Sequence, residues 1–304
     1  DPAATAVVSA IEHPCVLTAA ARLLKGRYWT APVSADGVID VRALEGLMHA
    51  HRPALTAVMA ANNETGVTQP WREVVGLCQG LPGRLLVDAA QWLGKRLSAG
   101  LGSADFVTGC GHKFGGPKGT GFLVVPEDLT GFASQIGGEQ ESGRRGGTEN
   151  YPAIAAMVAA LANRETHQAA QAASWVEERH RFEARLQRDI GAGLRIIGHR
   201  SDRLENTSAI LLPRHANTRW VARLDQRGFA VSTGSACATG KDGPSHVLGA
   251  MGLSGHEAAR AVRVSALWGT TVEDWAALAE AFVTVWGDLE AEQQSPDIAT
   301  VIDV

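Results

Sequence analysis

The segment Gly111-His112-Lys113-Phe114-Gly115-Gly116-Pro117-Lys118-Gly119-Thr120-Gly121 sets two lysines and a histidine among five glycines and a proline. Glycine loses more backbone freedom on folding than any other residue. Its density here therefore points to tight turns and close approach to a bound group. A lysine in that setting is suited to anchor a cofactor aldehyde covalently. His112 adds a second titratable group, and the two are expected to perturb each other's pKa. Asp88 follows the run Leu85-Leu86-Val87. A carboxylate there suits a metal ligand, a base or the charge partner of a heterocycle. The plain alternative is a helix N-cap, with Gln91 completing a capping box.

Other polar clusters are open to two readings each. Asn62-Asn63-Glu64-Thr65-Gly66 suits an ordinary turn, and a lone His13 before Pro14 is more often structural than catalytic. Gly143-Arg144-Arg145-Gly146-Gly147-Thr148 is either a solvated turn or an anion cradle, since arginines, a hydroxyl and backbone N–H groups all suit a phosphate. It is not a P-loop, because that motif's lysine and spacing are missing. Ser232-Thr233-Gly234-Ser235-Ala236-Cys237 is a small-residue run that leaves its thiol accessible. Arg263, in the alternating run Val262-Arg263-Val264-Ser265-Ala266, needs an anionic partner, best a carboxylate held bidentately. A lysine, an aspartate, an anion loop, a carboxylate clamp and a thiol together suit pyridoxal phosphate chemistry on an amino acid.

The elements that must position these groups read as alternating strands and helices. Strand-like runs cover 5–11, 55–59, 84–88, 106–108 and 121–125, and helical patterns cover 16–25, 41–50 and 71–80. That alternation, with polar residues at strand ends, argues for an α/β layer whose ligand lies beyond the carboxyl ends of the strands. From Tyr151 the texture changes to a long alanine-rich stretch, 152–188, expected as one or two helices. Further strands are expected at 194–197 and 208–212, and helices at 218–226, 244–251 and 272–290, with 291–304 as a tail. A domain boundary is expected near 165, giving 1–165 and 166–304.

The 304 residues, 45% hydrophobic and 20% charged, fit a globular chain able to bury a substantial core. A formal net charge of -4 argues against nucleic acid as the main partner. No apolar run approaches the roughly 18 residues of a membrane span, and Asp1-Pro2-Ala3 lacks the basic start of a signal peptide. The four cysteines are widely spaced with no CxxC pair, so reduced thiols and a cytoplasmic location are expected, without a structural metal.

Six motifs in order, from Glu12-His13 through Asn62-Asn63-Glu64-Thr65-Gly66, Asp88-Ala89-Ala90-Gln91, Gly111-His112-Lys113 with Gly116-Pro117-Lys118-Gly119, and Arg145-Gly146-Gly147-Thr148 to Gly234-Ser235-Ala236-Cys237, give the chain a family likeness. It resembles the cysteine desulfurases of the NifS and IscS type, fold-type I pyridoxal phosphate enzymes. The resemblance implies an α/β fold with a large mixed-sheet cofactor domain and a smaller α+β C-terminal domain that carries the cysteine loop. It implies that Lys113 anchors the cofactor and shuttles the Cα proton. Asp88 would partner the ring nitrogen and His13 would stack on the ring. Gln91 and Asn63 would lie near the ring hydroxyl, with Asn63 also near the substrate carboxylate that Arg263 clamps. His112 and Thr148 would contact the phosphate, Thr148 reaching in from the other subunit of a homodimer. Cys237 would take sulfur from L-cysteine as a persulfide, leaving L-alanine, and hand it to an acceptor or scaffold protein for iron–sulfur cluster assembly or thio-modification.

Two departures stand out. Cys110 occupies the place of a family serine that contacts the phosphate, and a thiol is the weaker donor. The N-terminal part of the family fold, with its glycine-threonine phosphate loop, is expected to be missing ahead of His13. Neighbouring expectations are a selenocysteine lyase or other carbon–sulfur lyase on the same fold, and a truncated, non-catalytic scaffold homologue.

Overall fold

The computed structural model describes residues 3–234 and 244–294. Its first sheet has six strands in the order β2-β1-β3-β4-β5-β6. These are β1 (Ala6–Ser9), β2 (Tyr28–Ala31), β3 (Leu55–Met59), β4 (Arg84–Asp88), β5 (Phe106–Cys110) and β6 (Gly121–Val124). The first five run parallel and β6 returns antiparallel to β5, so the sheet is mixed. Parallel strands covered on both faces read as continuous apolar runs, and β1, Ala-Val-Val-Ser, is buried at every position.

Three helices connect the strands: α1 (Pro14–Leu24), α2 (Val41–His51) and α3 (Trp71–Cys78). Local chemistry sets where they start. Pro14 opens α1, where a missing N–H costs nothing. Asp40 caps α2 by accepting from Ala43 N–H at 3.0 Å. Val7, Val58, Leu85, Val87 and Val107 pack with Leu44, Trp71, Val74 and Phe114 into the main core.

After a short hairpin, β7 (Glu139–Gln140) and β8 (Arg145–Gly146), the chain enters α4 (Tyr151–Ile190), a single helix of 40 residues. Asn150 caps it through Ala153 N–H. The alanine-rich stretch is thus one helix. Its first turns pack Met157, Ala160 and Leu161 on the main core, and its last turns carry Trp175, Phe182, Leu186 and Ile190 into a second core.

That second core lies under a three-stranded antiparallel sheet of β9 (Arg195–Ile196), β10 (Thr207–Leu211) and β11 (Ala261–Ser265), in the order β11-β10-β9. Helices α5 (Asn217–Asp225) and α8 (Val272–Gln294) complete it, while α6 (His246–Ala250) and α7 (Gly255–Ala258) lie between β10 and β11 in sequence. Helix α8 runs through positions 291–294, which the sequence suggests as tail. A third cluster joins the two sheets, packing Ile11 and Met59 against Ile197, Leu211, Val247 and Met251.

Charge fixes the end of α4 within the second half, and then links that half to the first. Arg203 Nη1 and Nη2 donate to Glu183 Oε1 and Oε2 at 2.8 and 3.0 Å, and Ser208 Oγ donates to Glu183 Oε1 at 2.7 Å. Next to this pair, Arg96 binds both carboxylate oxygens of Asp202, which also accepts from Thr68 Oγ1 at 2.8 Å. No described helix is long and apolar enough to cross a membrane.

Candidate active site

The carboxyl ends of β1, β3, β4 and β5 deliver His13, Asn63, Asp88 and Lys113 to one edge of the mixed sheet. This is where open α/β sheets bind ligands. Lys113 ends a 3-10 turn, Gly111–Lys113, that follows β5 directly. Gly111 N–H donates to Thr120 O at 3.0 Å, and Phe114 N–H donates to Gly111 O at 3.1 Å. Phe114 is buried in the main core, so the residue after Lys113 is fixed. Gly115, at φ +92°, lies so close to Trp268 that a Cβ would sit 2.8 Å from Cζ2. The glycine density around Lys113 thus serves close packing and left-handed backbone.

Asp88 ends β4 and is 9% exposed. Its Oδ1 accepts from Ala90 N–H at 2.9 Å and from Thr108 Oγ1 at 3.1 Å. No helix begins after it, which removes the N-cap alternative, and Gln91 makes no capping box. Gln91 instead turns its Oε1 to Lys95 Nζ at 2.6 Å.

His13 caps α1, its Nδ1 accepting from Cys15 N–H at 3.2 Å, with Cys15 Sγ 3.0 Å from the same nitrogen. The neutral ring therefore carries its proton on Nε2. Burial holds the imidazole below its usual range; Asp88 opposes this and Lys113 reinforces it. Cys110, half-buried, has its thiol pushed up by burial first, with Lys113 and Lys95 pulling it down. These mutual influences place His13, Asp88, Lys113, Cys110 and Lys95 in one electrostatic neighbourhood.

Arg263 joins from β11 of the other sheet, and its Nη1 donates to Asn63 O at 2.6 Å. Asn63 Oδ1 is buried with no hydrogen-bond partner among the described residues. A buried amide oxygen left so is open to a donor from outside the chain. Neighbouring Asn62 has a structural part, its Oδ1 accepting from Glu64 N–H, Thr65 N–H and Thr65 Oγ1.

Other expected residues lie apart. His112 is exposed, and burial, Lys113 and Lys118 together lower its pKa. Thr148 is exposed beyond β8, on the surface of the single chain. The two arginines before it are engaged locally within the chain, Arg144 with Val125 O and Pro126 O, and Arg145 with Gln135 Oε1. Cys237 lies outside the described residues.

Sequence reasoning gave no role to two buried groups here, Glu12 of the Glu12-His13 pair and Lys95. Glu12 is fully buried, accepts from Met59 N–H at 2.6 Å, and is pushed up to about 8 chiefly by burial. Lys95 is buried and pushed down to about 7. Neither carries a local signal, because an exposed glutamate and an exposed lysine have the same neighbours in sequence.

The aminotransferase class-V model matches residues 1–278. A cysteine desulfurase of Rhodobacter capsulatus is 33% identical over 278 residues, covering 88% of this chain and 70% of the relative. A cysteine desulfurase of Sinorhizobium fredii is 34% identical over 264 residues, covering 85% and 67%. Among solved structures, the NifS-like protein from Rickettsia africae superimposes with a TM-score of 0.85 at 27% identity, over 94% of this chain and 77% of that one. The cofactor of the fold is pyridoxal phosphate, and the residues present fit its ring end: an amine at Lys113, a carboxylate at Asp88, an imidazole at His13 and the unpartnered Asn63 oxygen. On its fold, its matched length and its relatives, the chain belongs to the aminotransferase class-V family.

Proposed function

We propose that the chain is a cysteine desulfurase, converting L-cysteine to L-alanine with the sulfur left as a persulfide on Cys237. The observation that carries this reading is the convergence of Lys113, Asp88 and His13 from one sheet with Arg263 from the other, around Asn63. Pyridoxal phosphate, when bound, supplies an electron sink that makes an amino acid's Cα proton removable.

The chain's own groups do the rest. Lys113 anchors the cofactor aldehyde, and its freed amine takes the proton from the substrate Cα. Asp88 holds a proton at the ring nitrogen, its carboxylate aimed by Ala90 N–H and Thr108 Oγ1. His13 covers one ring face. Arg263 clamps the substrate carboxylate, with Asn63 beside it. With the cofactor bound, Gln91 would hold the ring hydroxyl, and Cys110 and His112 would hold the phosphate. The Cys237 thiolate attacks the substrate sulfur. An S–S bond forms, the C–S bond breaks with its electron pair to Cβ, and Cβ gains a proton. Carbon is reduced and sulfur is oxidised to the persulfide level, so no outside oxidant is needed.

We further assign residues 1–165 to the cofactor domain and 166–304 to the small domain with the cysteine loop. Thr148, exposed in one chain, fits a homodimer in which it reaches the partner's phosphate site. The persulfide then passes to an acceptor protein, for iron–sulfur cluster assembly or thio-modification, in the cytoplasm.

The test is a pair of variants. Lys113→Ala should lose the visible absorbance band of the bound cofactor. Cys237→Ser should keep the band and lose both alanine and persulfide formation from L-cysteine. Full persulfide transfer by Cys237→Ser would remove Cys237 from the mechanism. Selenocysteine turnover that survived this substitution, without cysteine turnover in the parent, would assign a selenocysteine lyase instead.

A further inference from the structure

Lys95 is a charged-type side chain buried where nothing neutralises it. It lies in the turn after β4, is 8% exposed, and forms no ion pair among the described residues. Its Nζ donates to Gln91 O at 3.0 Å and to Gln91 Oε1 at 2.6 Å. Its backbone is held as well: Lys95 N–H donates to Trp92 O at 3.1 Å, and Lys95 O accepts from Gln168 Nε2 at 2.9 Å. Gly94, immediately before it, is at φ +74° and packs against Phe114, the residue after Lys113.

Burial, Lys113 and Arg263 push the Lys95 ammonium down to about 7. Either protonation state satisfies the geometry. An ammonium has three N–H donors and a neutral amine two, and Gln91 offers two acceptors. The lysine therefore holds Gln91 across neutrality. A side-chain amide has an oxygen on one side and an NH₂ on the other. With Oε1 committed to Lys95, both Nε2–H bonds of Gln91 face away from it, and Nε2 has no hydrogen bond among the described residues.

We propose that Lys95 is a positioning residue that fixes the Gln91 amide oxygen-inward, so that Gln91 presents its NH₂ to the phenolic oxygen of pyridoxal phosphate. The inference rests on the pyridoxal phosphate reading of the site. The reversed amide would set an oxygen against a phenolate oxygen, acceptor against acceptor. The orientation enforced by Lys95 stabilises the anion by hydrogen bonding to its charged form.

The experiment is a pH titration of the visible cofactor band in the loaded full chain. It compares the parent, Lys95→Met, Gln91→Ala and the double variant, with urea unfolding as a check on folding. A donor lost from the phenolate raises the midpoint by about one pH unit, the size of one charged hydrogen bond. Each single variant should show this rise, and the double variant should show no more than either single. A parent-like midpoint in Lys95→Met, or shifts that simply add in the double variant, would overturn the inference while leaving the cofactor reading intact. A parent chain with no Lys113-dependent band would overturn both. Lys95→Leu carries the same test if the methionine variant does not fold.

Discussion

Replacing Gly94 by alanine should damage the protein in two separable ways. The residue sits at φ +74°, and a side chain there meets left-handed backbone strain of about 1–2 kcal/mol. An added Cβ would also press on Phe114, inside contact distance of its Cβ and 3.3 Å from its Cα, and 3.2 Å from Arg164 Cγ. Carbons meet favourably at about 3.5–4.0 Å, and Phe114 is locked in the main core at 1% exposure. Overpacking of this kind costs about 1–3 kcal/mol. The sum is about 2–5 kcal/mol of unfolding free energy, read as a lower urea midpoint at unchanged slope. Because Phe114 follows Lys113, the push should also weaken retention of the cofactor band. Gly26→Ala is the control: its φ is +87° with nothing within 4 Å of a Cβ, so it carries strain alone. Equal losses in the two variants would refute the claim that the turn of residues 89–96 is wedged against the anchor lysine.

Glu12, raised from 4.5 to about 8 by burial, makes stability fall as pH rises. The folded state holds a proton that the unfolded chain has released, so the loss develops between those two values and approaches ~5 kcal/mol at its limit. Urea midpoints from pH 5 to 9 should show the decline in the parent and a flatter profile in Glu12→Gln. Arg203→Met removes the bidentate partner of buried Glu183, leaving it Ser208 Oγ and the more distant Arg179 at 3.9 Å, and should cost about 3 kcal/mol; adding Glu183→Leu should recover part of it, and a single-variant loss under ~1 kcal/mol would refute the burial argument. Asp88→Asn removes the charge partner proposed for the ring nitrogen, and should lower alanine formation about ten- to a hundredfold with the cofactor still bound.

The alternation that sequence reveals is the part of the fold set by local pattern. Strands β3, β4 and β5 carry apolar runs ending in polar residues, and the structure has them there. Strand β2, Tyr28–Ala31, escaped because it is an edge strand, half-exposed, with a tyrosine, a tryptophan and a threonine rather than an apolar run. The β7–β8 hairpin hid among glycines whose local signal is only "turn". Asp88 and Lys113 were legible because strand ends mark ligand edges. Lys95 was not, since its burial is a tertiary effect that leaves no local pattern, with its backbone held by Gln168 of α4, 73 residues on. Thr148 was legible as a motif residue, yet a single chain leaves it on the surface.

The placement of these cores along the chain bears on how a nascent polypeptide meets water during synthesis. Nearly all of the main core, from Val7 to Leu161, is complete by the first turns of α4; Leu204 is its one late member among the described residues. Ile11 and Met59, by contrast, are covered largely by residues from Ile197 onward, with Val33 an earlier neighbour in that cluster. A ribosome-bound chain stopped near the middle of α4 would therefore carry a formed α/β sheet with a bare apolar strip beside its ligand edge. Such strips are what chaperones bind and what aggregation starts from. Release of that intermediate depends on synthesis reaching β10 and α6, so slow translation across residues 165–250 should hurt yield more than slow translation at either end.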